Sequence, residues 1–296
     1  TVVGGCATSA LWIANSKLND LFNTPKLSPF EVTETAVELI ETNRNFPSQG
    51  LTVEQMLNFL KSIKLDYDVV NLGNLKSIIK NREFSDDILN EAERNLRCLV
   101  PDTIKGFASA EIPIICGIRL YKFDPDGLLV RKPFHAVVVS GYKQNESGEI
   151  CEIYVHDDQI GPYGIVKSES SDLSFLEWDC EWTRSGEYDK VEIEIIIIPI
   201  YHKMRIIYNH IHQMLQDNRR DFPKLSFDLY LTNIQKYKSE VLPLQFDNKL
   251  NFLKKSLPRF VWVLCSYDSL GDPISDMLFD ATSHNIRCIE EIFFKC

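Results

Sequence analysis

Phe134-His135-Ala136-Val137-Val138-Val139-Ser140-Gly141-Tyr142 is the stretch whose reading decides the fold of this chain. Its β-branched run, closed by Gly141, predicts a buried strand. With a period of two, His135 shares one face with Val137 and Val139, while Phe134, Ala136 and Val138 point the other way. A histidine at the entry of such a strand is held rigidly, next to whatever packs on the neighbouring layer. Alone, it signals no more than an edge residue.

Working outward, Ile112 to Leu120, Ile150 to His156 and Val191 to Tyr201 are further β-rich runs. Turn signals separate them at Asp124-Pro125-Asp126-Gly127 and Asn145-Glu146-Ser147-Gly148. The first hundred residues read differently. Ala7, Ala10, Leu11, Ala14, Leu18 and Leu21 recur at helical spacing after Gly4-Gly5. Ser28-Pro29-Phe30-Glu31 is a capping box that opens a helix carrying Val32, Ala36, Leu39 and Ile40. Thr52-Val53-Glu54-Gln55 opens another, continued by Met56, Leu57, Leu60 and Ile63, and a third spans about Asp86 to Leu96. Helices followed by an antiparallel-looking sheet make an α+β fold. Beyond Tyr201 the pattern predicts helices from about Met204 to Gln216 and Asn248 to Ser256. Strands follow at Phe260 to Tyr267, Met277 to Phe279 and Ile286 to Phe294. The expected division is residues 1–201 and 202–296, the latter an α/β extension or accessory domain.

Cys6 falls where the first helix begins. A helix N-terminus presents unpaired N–H groups and a positive dipole end, which favour thiolate over thiol and prime the sulfur as a nucleophile. Asp157 closes the run Glu152-Ile153-Tyr154-Val155-His156-Asp157-Asp158. If this strand pairs antiparallel with the His135 strand, the start of one meets the end of the other. A carboxylate there accepts the second imidazole N–H, as the third member of a catalytic triad does. Asp158 is the rival; alternation favours Asp157, which shares a face with Val155 and Ile153.

The composition sets outer limits. The chain has 44% hydrophobic and 25% charged residues and a formal net charge of -10, with no Lys/Arg block. This argues against a nucleic-acid partner, because phosphate neutralisation needs clustered cations, and suits a basic peptide. No run is long enough for a membrane span; Ile195 to Ile200, interrupted by Pro199, reads as a buried strand. The eight cysteines form no C-x-x-C pair, which disfavours a zinc site. A reducing, cytoplasmic setting is the simpler expectation, with disulfides left open by the even count. His210 and His212 are two apart on a helix and point to different faces, so they predict a solvated face rather than a metal site. Trp178 and Trp182 read as packing residues, and Glu177, Asp179 and Glu181 as solvated charges.

Five segments together resemble the papain-like cysteine peptidases, and among them the bacterial bacteriocin-leader (double-glycine) peptidases and their stand-alone relatives. They are Gly5-Cys6-Ala7-Thr8-Ser9-Ala10, Gly50-Leu51-Thr52-Val53-Glu54-Gln55-Met56, Ile112-Pro113-Ile114-Ile115-Cys116-Gly117, His135 to Tyr142, and Tyr154-Val155-His156-Asp157. The resemblance covers about residues 4 to 160. It implies a papain-like fold, with a helical N-terminal part packed on an antiparallel sheet, and cleavage of a peptide or isopeptide bond. The catalytic residues it implies are Cys6, His135 and Asp157, with a peptide or protein substrate and no cofactor or metal. Two departures stand out. The family has Gly after the cysteine where this chain has Ala7. Its oxyanion-hole Gln would precede Thr1, and neither Gln49 nor Gln159 is placed to replace it. An acyltransferase or transglutaminase-type enzyme with the same triad, and an inactive papain-like binding module, are the alternative expectations.

Overall fold

The computed structural model describes residues 5–38, 50–81, 85–168 and 188–295, and between them residues 170, 173, 176–178, 184 and 186. They fall into two compact units, Thr1–Ile104 with Ile112–Tyr201, and Lys105–Glu111 with His202–Cys296. The expected break at Tyr201 divides the chain differently in one respect, since the short segment 105–111 groups with the later residues.

In the first unit, helix α1 (Cys6–Phe22) buries Ala7, Ala10, Leu11, Ala14 and Leu18 along one stripe. It stops at Asn23, whose left-handed backbone (φ 56°) sends its N–H back to Asn19 O at 2.9 Å. Helices α2 (Pro29–Val37) and α3 (Val53–Ser62) start at the two capping boxes. Glu31 accepts the Ser28 N–H at 2.7 Å, and Gln55 accepts that of Thr52 at 2.9 Å. Leu39 and Ile40 lie outside the described residues, as do Gly4, Gln49, Asp179, Cys180, Glu181, Trp182 and Cys296. Helix α4 (Leu72–Asn81) is followed by α5 (Asp86–Ala108), which passes the predicted end at Leu96 and carries Pro101 inside it. An internal proline costs about 3 kcal/mol. Burial of Leu99, Val100 and Ile104 around it, at roughly 1.5–3 kcal/mol each, offsets that cost.

The sheet of this unit contains β1 (Leu65–Asn71), β2 (Ile114–Phe123), β3 (Leu129–Gln144), β4 (Ile150–Asp157), β5 (Gly161–Ser168), β6 (Leu176–Trp178) and β7 (Lys190–Tyr201). The order is β1-β7-β2-β3-β4-β5-β6, and β6 pairs again with β7 through Leu176 and Val191. Six antiparallel strands thus close into a barrel, with β1 added outside on β7. Closure explains why β3 is apolar on both faces. Ala136 and Val138, with Ile115 and Ile197, join the α1–α3 core, whereas Val137 and Val139, on the opposite face, are buried as well. Pro199 lies beyond Ile115↔Ile197, the last β2–β7 pair, so its missing N–H removes no bond on that side.

The second unit has a four-stranded antiparallel sheet, β11-β10-β9-β8. Its elements are helix α6 (Tyr208–Asp221), β8 (Ser226–Asn233), helices α7 (Ile234–Val241) and α8 (Lys249–Lys254), and strands β9 (Phe260–Tyr267), β10 (Pro273–Asp280) and β11 (Cys288–Phe293). Tyr237, Val241 and Phe252 from α7 and α8 pack on Val261, Val263 and Leu278. The predicted solvated face of α6 holds for exposed His210 but fails for His212. That imidazole is buried against Tyr208, with Nε2 3.1 Å from Gln216 Nε2. The physical reason is that Tyr208, His212 and Leu215 form one apolar-facing stripe, and Gln216 satisfies the ring within it. No helix among the described residues is long and apolar enough to cross a membrane.

Candidate functional site

Cys6 is the first residue of α1, and Gly5 at the N-cap supplies no side-chain cap. No acidic residue lies in the first turn. The dipole end of the helix therefore acts on the sulfur without a competing carboxylate from its own turn. Helix α1 lies across β3, and the thiol reaches the backbone of Ala136 and the imidazole of His135, with hydrogen bonds to both.

His135 sits within β3 rather than at its entry, because the strand runs back to Leu129. Its side chain has the parity of Val137 and Val139, and only 7% of it is exposed. On the paired strand β4, burial alternates so that Ile153, Val155 and Asp157 share the covered face. Asp157 closes that strand, and its fully buried carboxylate receives His135: Nε2 and Oδ2 are 3.1 Å apart. Its other oxygen, Oδ1, accepts the backbone N–H of Gln159 at 2.7 Å. With Nε2 engaged by Asp157, Nδ1 is the ring nitrogen left for the thiol. The three residues expected from the sequence thus converge. Asp158 is close too, with Oδ1 3.6 Å from His135 Nε2, but its side chain is a quarter exposed. The distances make Asp157 the direct partner and Asp158 a neighbouring charge.

The electrostatics follow from this geometry. Burial works against a charged Cys6, but the hydrogen bond and positive charge of His135 and the Ala136 backbone overcome it and leave the thiol below its ordinary value. Burial likewise opposes a charged His135. The Asp157 carboxylate and the Cys6 sulfur outweigh it, and the imidazole is pushed up to about 9. The carboxyl of Asp158 is raised, first by burial and then by the charge of Asp157, against the lowering effect of His135. The arrangement favours a thiolate beside an imidazolium over a neutral pair, the state a nucleophilic cysteine needs. His135, Asp157 and Asp158 also bring three ligand-type atoms within 4.8 Å of one another. An ion held there by Nε2 would take the imidazole from Asp157.

Cys116 and Cys265 are buried in strands, where desolvation keeps their thiols protonated; Cys116 is pushed up to about 12. The Cys6 thiol, in contrast to these two, is held below its ordinary value. The backing of Asp157 by Gln159 escaped the sequence reading, which treated Gln159 as a side chain, whereas its backbone N–H makes the contact. Nor did the sequence indicate that Arg119 and Glu194 pair beside Phe134, because the two strands that carry them are far apart in the chain. Trp178 is buried, in line with a packing role. In comparisons with known proteins, the chain matches no family model and no curated sequence.

Proposed function

We propose that the chain is a cysteine hydrolase of papain-like fold that cleaves a peptide or isopeptide bond. The observation that carries this reading is the single imidazole placed between the Cys6 thiol and the buried Asp157 carboxylate. The helix that starts at the cysteine and packs on antiparallel strands accords with that fold, although the closure of six strands into a barrel goes beyond the expected sheet. The six free cysteines among the described residues accord with work in a reducing, cytoplasmic setting.

In the proposed cycle the Cys6 thiolate attacks the carbonyl carbon, and the C–N bond breaks as the His135 imidazolium protonates the departing amine. The acyl group is then a thioester on Cys6. His135, now neutral, takes a proton from water, whose oxygen attacks the thioester; the C–S bond breaks, the carboxylic acid leaves, and the Cys6 thiolate and His135 imidazolium are restored. Asp157 holds the ring in the orientation both half-reactions need and stabilises its charged form. The backbone N–H of Cys6 is the donor assigned to the developing oxyanion.

The test is incubation of the protein with a mixture of basic peptides, followed by mass analysis of the products. New carboxyl termini that vanish in Cys6→Ala support hydrolysis. Peptides joined to an added primary amine, without new carboxyl termini, would replace hydrolysis with acyl transfer. No product in either arm would remove the enzymatic reading in favour of a binding module.

A further inference from the structure

A pocket of about 450 Å³ has Phe134, the residue before His135, in its lining. Phe134, Ile195 and Val53 form its apolar walls, Arg119 with Glu194 its charged end, and Asn71 and Asn74 line it as well. Phe134 and Ala136 are two apart on β3 and point to the same side, roughly 7 Å from one another. The backbone of Ala136 bonds the Cys6 sulfur. The Phe134 wall is therefore within reach of a peptide whose carbonyl rests at Cys6.

The pocket is built by a close approach and a bulge. At Gly117 an added Cβ would lie 2.1 Å from Phe134 Cζ and 2.5 Å from Ile195 Cγ2, so glycine lets the ring rest on the strand. Between Gly117 and Ile118 the β2–β7 register shifts, from Gly117↔Ile195 to Ile118↔Ile193, which leaves Glu194 out of the pairing. Its carboxylate turns to Arg119, accepting from Nε at 3.0 Å and Nη2 at 2.7 Å. The guanidinium in turn lies over the Phe134 ring, 4.9 Å from its centroid. Gly73, in the first turn of α4, leaves the mouth open; a Cβ there would stand 3.2 Å from Glu194 Cγ.

A side chain entering this pocket meets equal and opposite charges. A cation or anion would be desolvated against a like charge, and an aliphatic tip would cover the pair without bonding it. An amide has an apolar stem for the walls, a carbonyl that accepts from the guanidinium and an NH₂ that donates to the carboxylate. We propose that this pocket is a specificity site for an amide side chain, glutamine or asparagine, of the substrate. The assignment rests on the reading of Cys6 as nucleophile.

The experiment uses the full chain and a set of tripeptidyl vinyl sulfones, in which Gln, Glu, Lys or Leu is placed at each position in turn. The inactivation rate constant of each probe is divided by that of iodoacetamide on the same protein. The expected result is a Gln advantage of at least about tenfold at one position. In Arg119→Leu/Glu194→Leu, where an apolar pair replaces the ions, that advantage disappears and Leu becomes the better probe. Gly73→Val, which crowds the pocket against the Glu194 side chain while keeping both charges, lowers the Gln ratio in the same way and serves if the double variant does not fold. Fast iodoacetamide labelling with equal rates for all probes, or a Gln preference that survives these variants, overturns the pocket assignment and leaves the nucleophile standing. Slow iodoacetamide labelling of Cys6 in the unaltered protein removes both.

Discussion

Asp157 ties the imidazole to the backbone, with Oδ2 3.1 Å from His135 Nε2 and Oδ1 2.7 Å from the Gln159 nitrogen. A carboxylate fixed at both oxygens, with a fully buried side chain, has little freedom to turn. The orientation of the ring is therefore inherited from the end of β4 and the turn after it, and does not depend on the substrate.

Removing that carboxylate has two separable consequences. In Asp157→Ala the His135 titration, followed by NMR of the ring protons, is expected to fall from about 9 towards its ordinary 6.5. Peptide hydrolysis should drop about 10²-fold or more. Asp158→Ala should act differently. It removes a negative charge that opposes ionisation of Cys6, so the thiol should titrate lower still.

The ion pair has a definite signature in stability. The raised His135 contributes stability that is present below its ordinary 6.5 and is lost as pH rises through about 9, whereas the lowered Cys6 contributes stability that grows as pH rises towards the thiol's ordinary 9.0. The two slopes therefore oppose one another in this window. Cys6→Ala breaks the balance. Its histidine is still raised by Asp157, so the stability it contributes is complete below about pH 6.5 and is lost as pH rises through its folded value. Urea unfolding across this range should show the variant losing stability with pH relative to the unaltered protein. A difference that stays flat would mean that His135 is not raised.

Gly117→Ala should destabilise the first unit by about 1–3 kcal/mol, the usual cost of overpacking. The added methyl group would overlap the Phe134 ring at 2.1 Å. Gly117→Ala combined with Phe134→Leu should recover part of the loss in urea unfolding, because the smaller side chain vacates the space. Additive losses in the pair would place the strain elsewhere.

In the second unit, Tyr237 donates a 2.7 Å hydrogen bond to the buried Asp276 carboxylate. Burial raises this carboxyl, and the bonds from Cys265 and Tyr237 partly counter the rise. A carboxyl raised in the folded state favours folding at low pH and penalises it as pH climbs through the folded value. Tyr237→Phe removes one counterweight. It should cost about 1–3 kcal/mol at neutral pH and less at about pH 2.5, below the ordinary 3.8, where the carboxyl is protonated in both states. Thermal unfolding at the two pH values measures this.

Much of this architecture was legible where local chemistry specifies it. The boxes at Ser28/Glu31 and Thr52/Gln55 satisfy backbone donors within four residues, so they signal their helices without help from the rest of the fold. The His135 strand, the Asp157 strand and their antiparallel order were readable for the same reason, since a short turn joins them. What escaped depends on distant partners. Strand β1 reads Leu-Asp-Tyr-Asp-Val-Val-Asn, a pattern with no clear apolar face, and is a strand because β7 pairs with it. The three residues of β6 close the barrel through one pairing with β7. Helix α5 outlasted its apparent end because buried neighbours offset Pro101. In the second unit, β8 alternates buried Phe227, Leu229 and Leu231 with polar residues, a signal that was present but crowded by adjacent helical patterns. The site was legible as residues and their order; the pocket was not, because Arg119, Phe134 and Glu194 meet only through strand pairing.

The most direct measurement is the rate at which iodoacetamide alkylates Cys6 near neutral pH, mapped by mass spectrometry, in the unaltered protein and in His135→Ala. Cys6 is expected to react well ahead of Cys98, Cys151 and Cys288, and His135→Ala to slow it towards their rates. Labelling of Cys6 at the pace of an ordinary thiol, indifferent to the loss of His135, would contradict the reading of Cys6 as nucleophile.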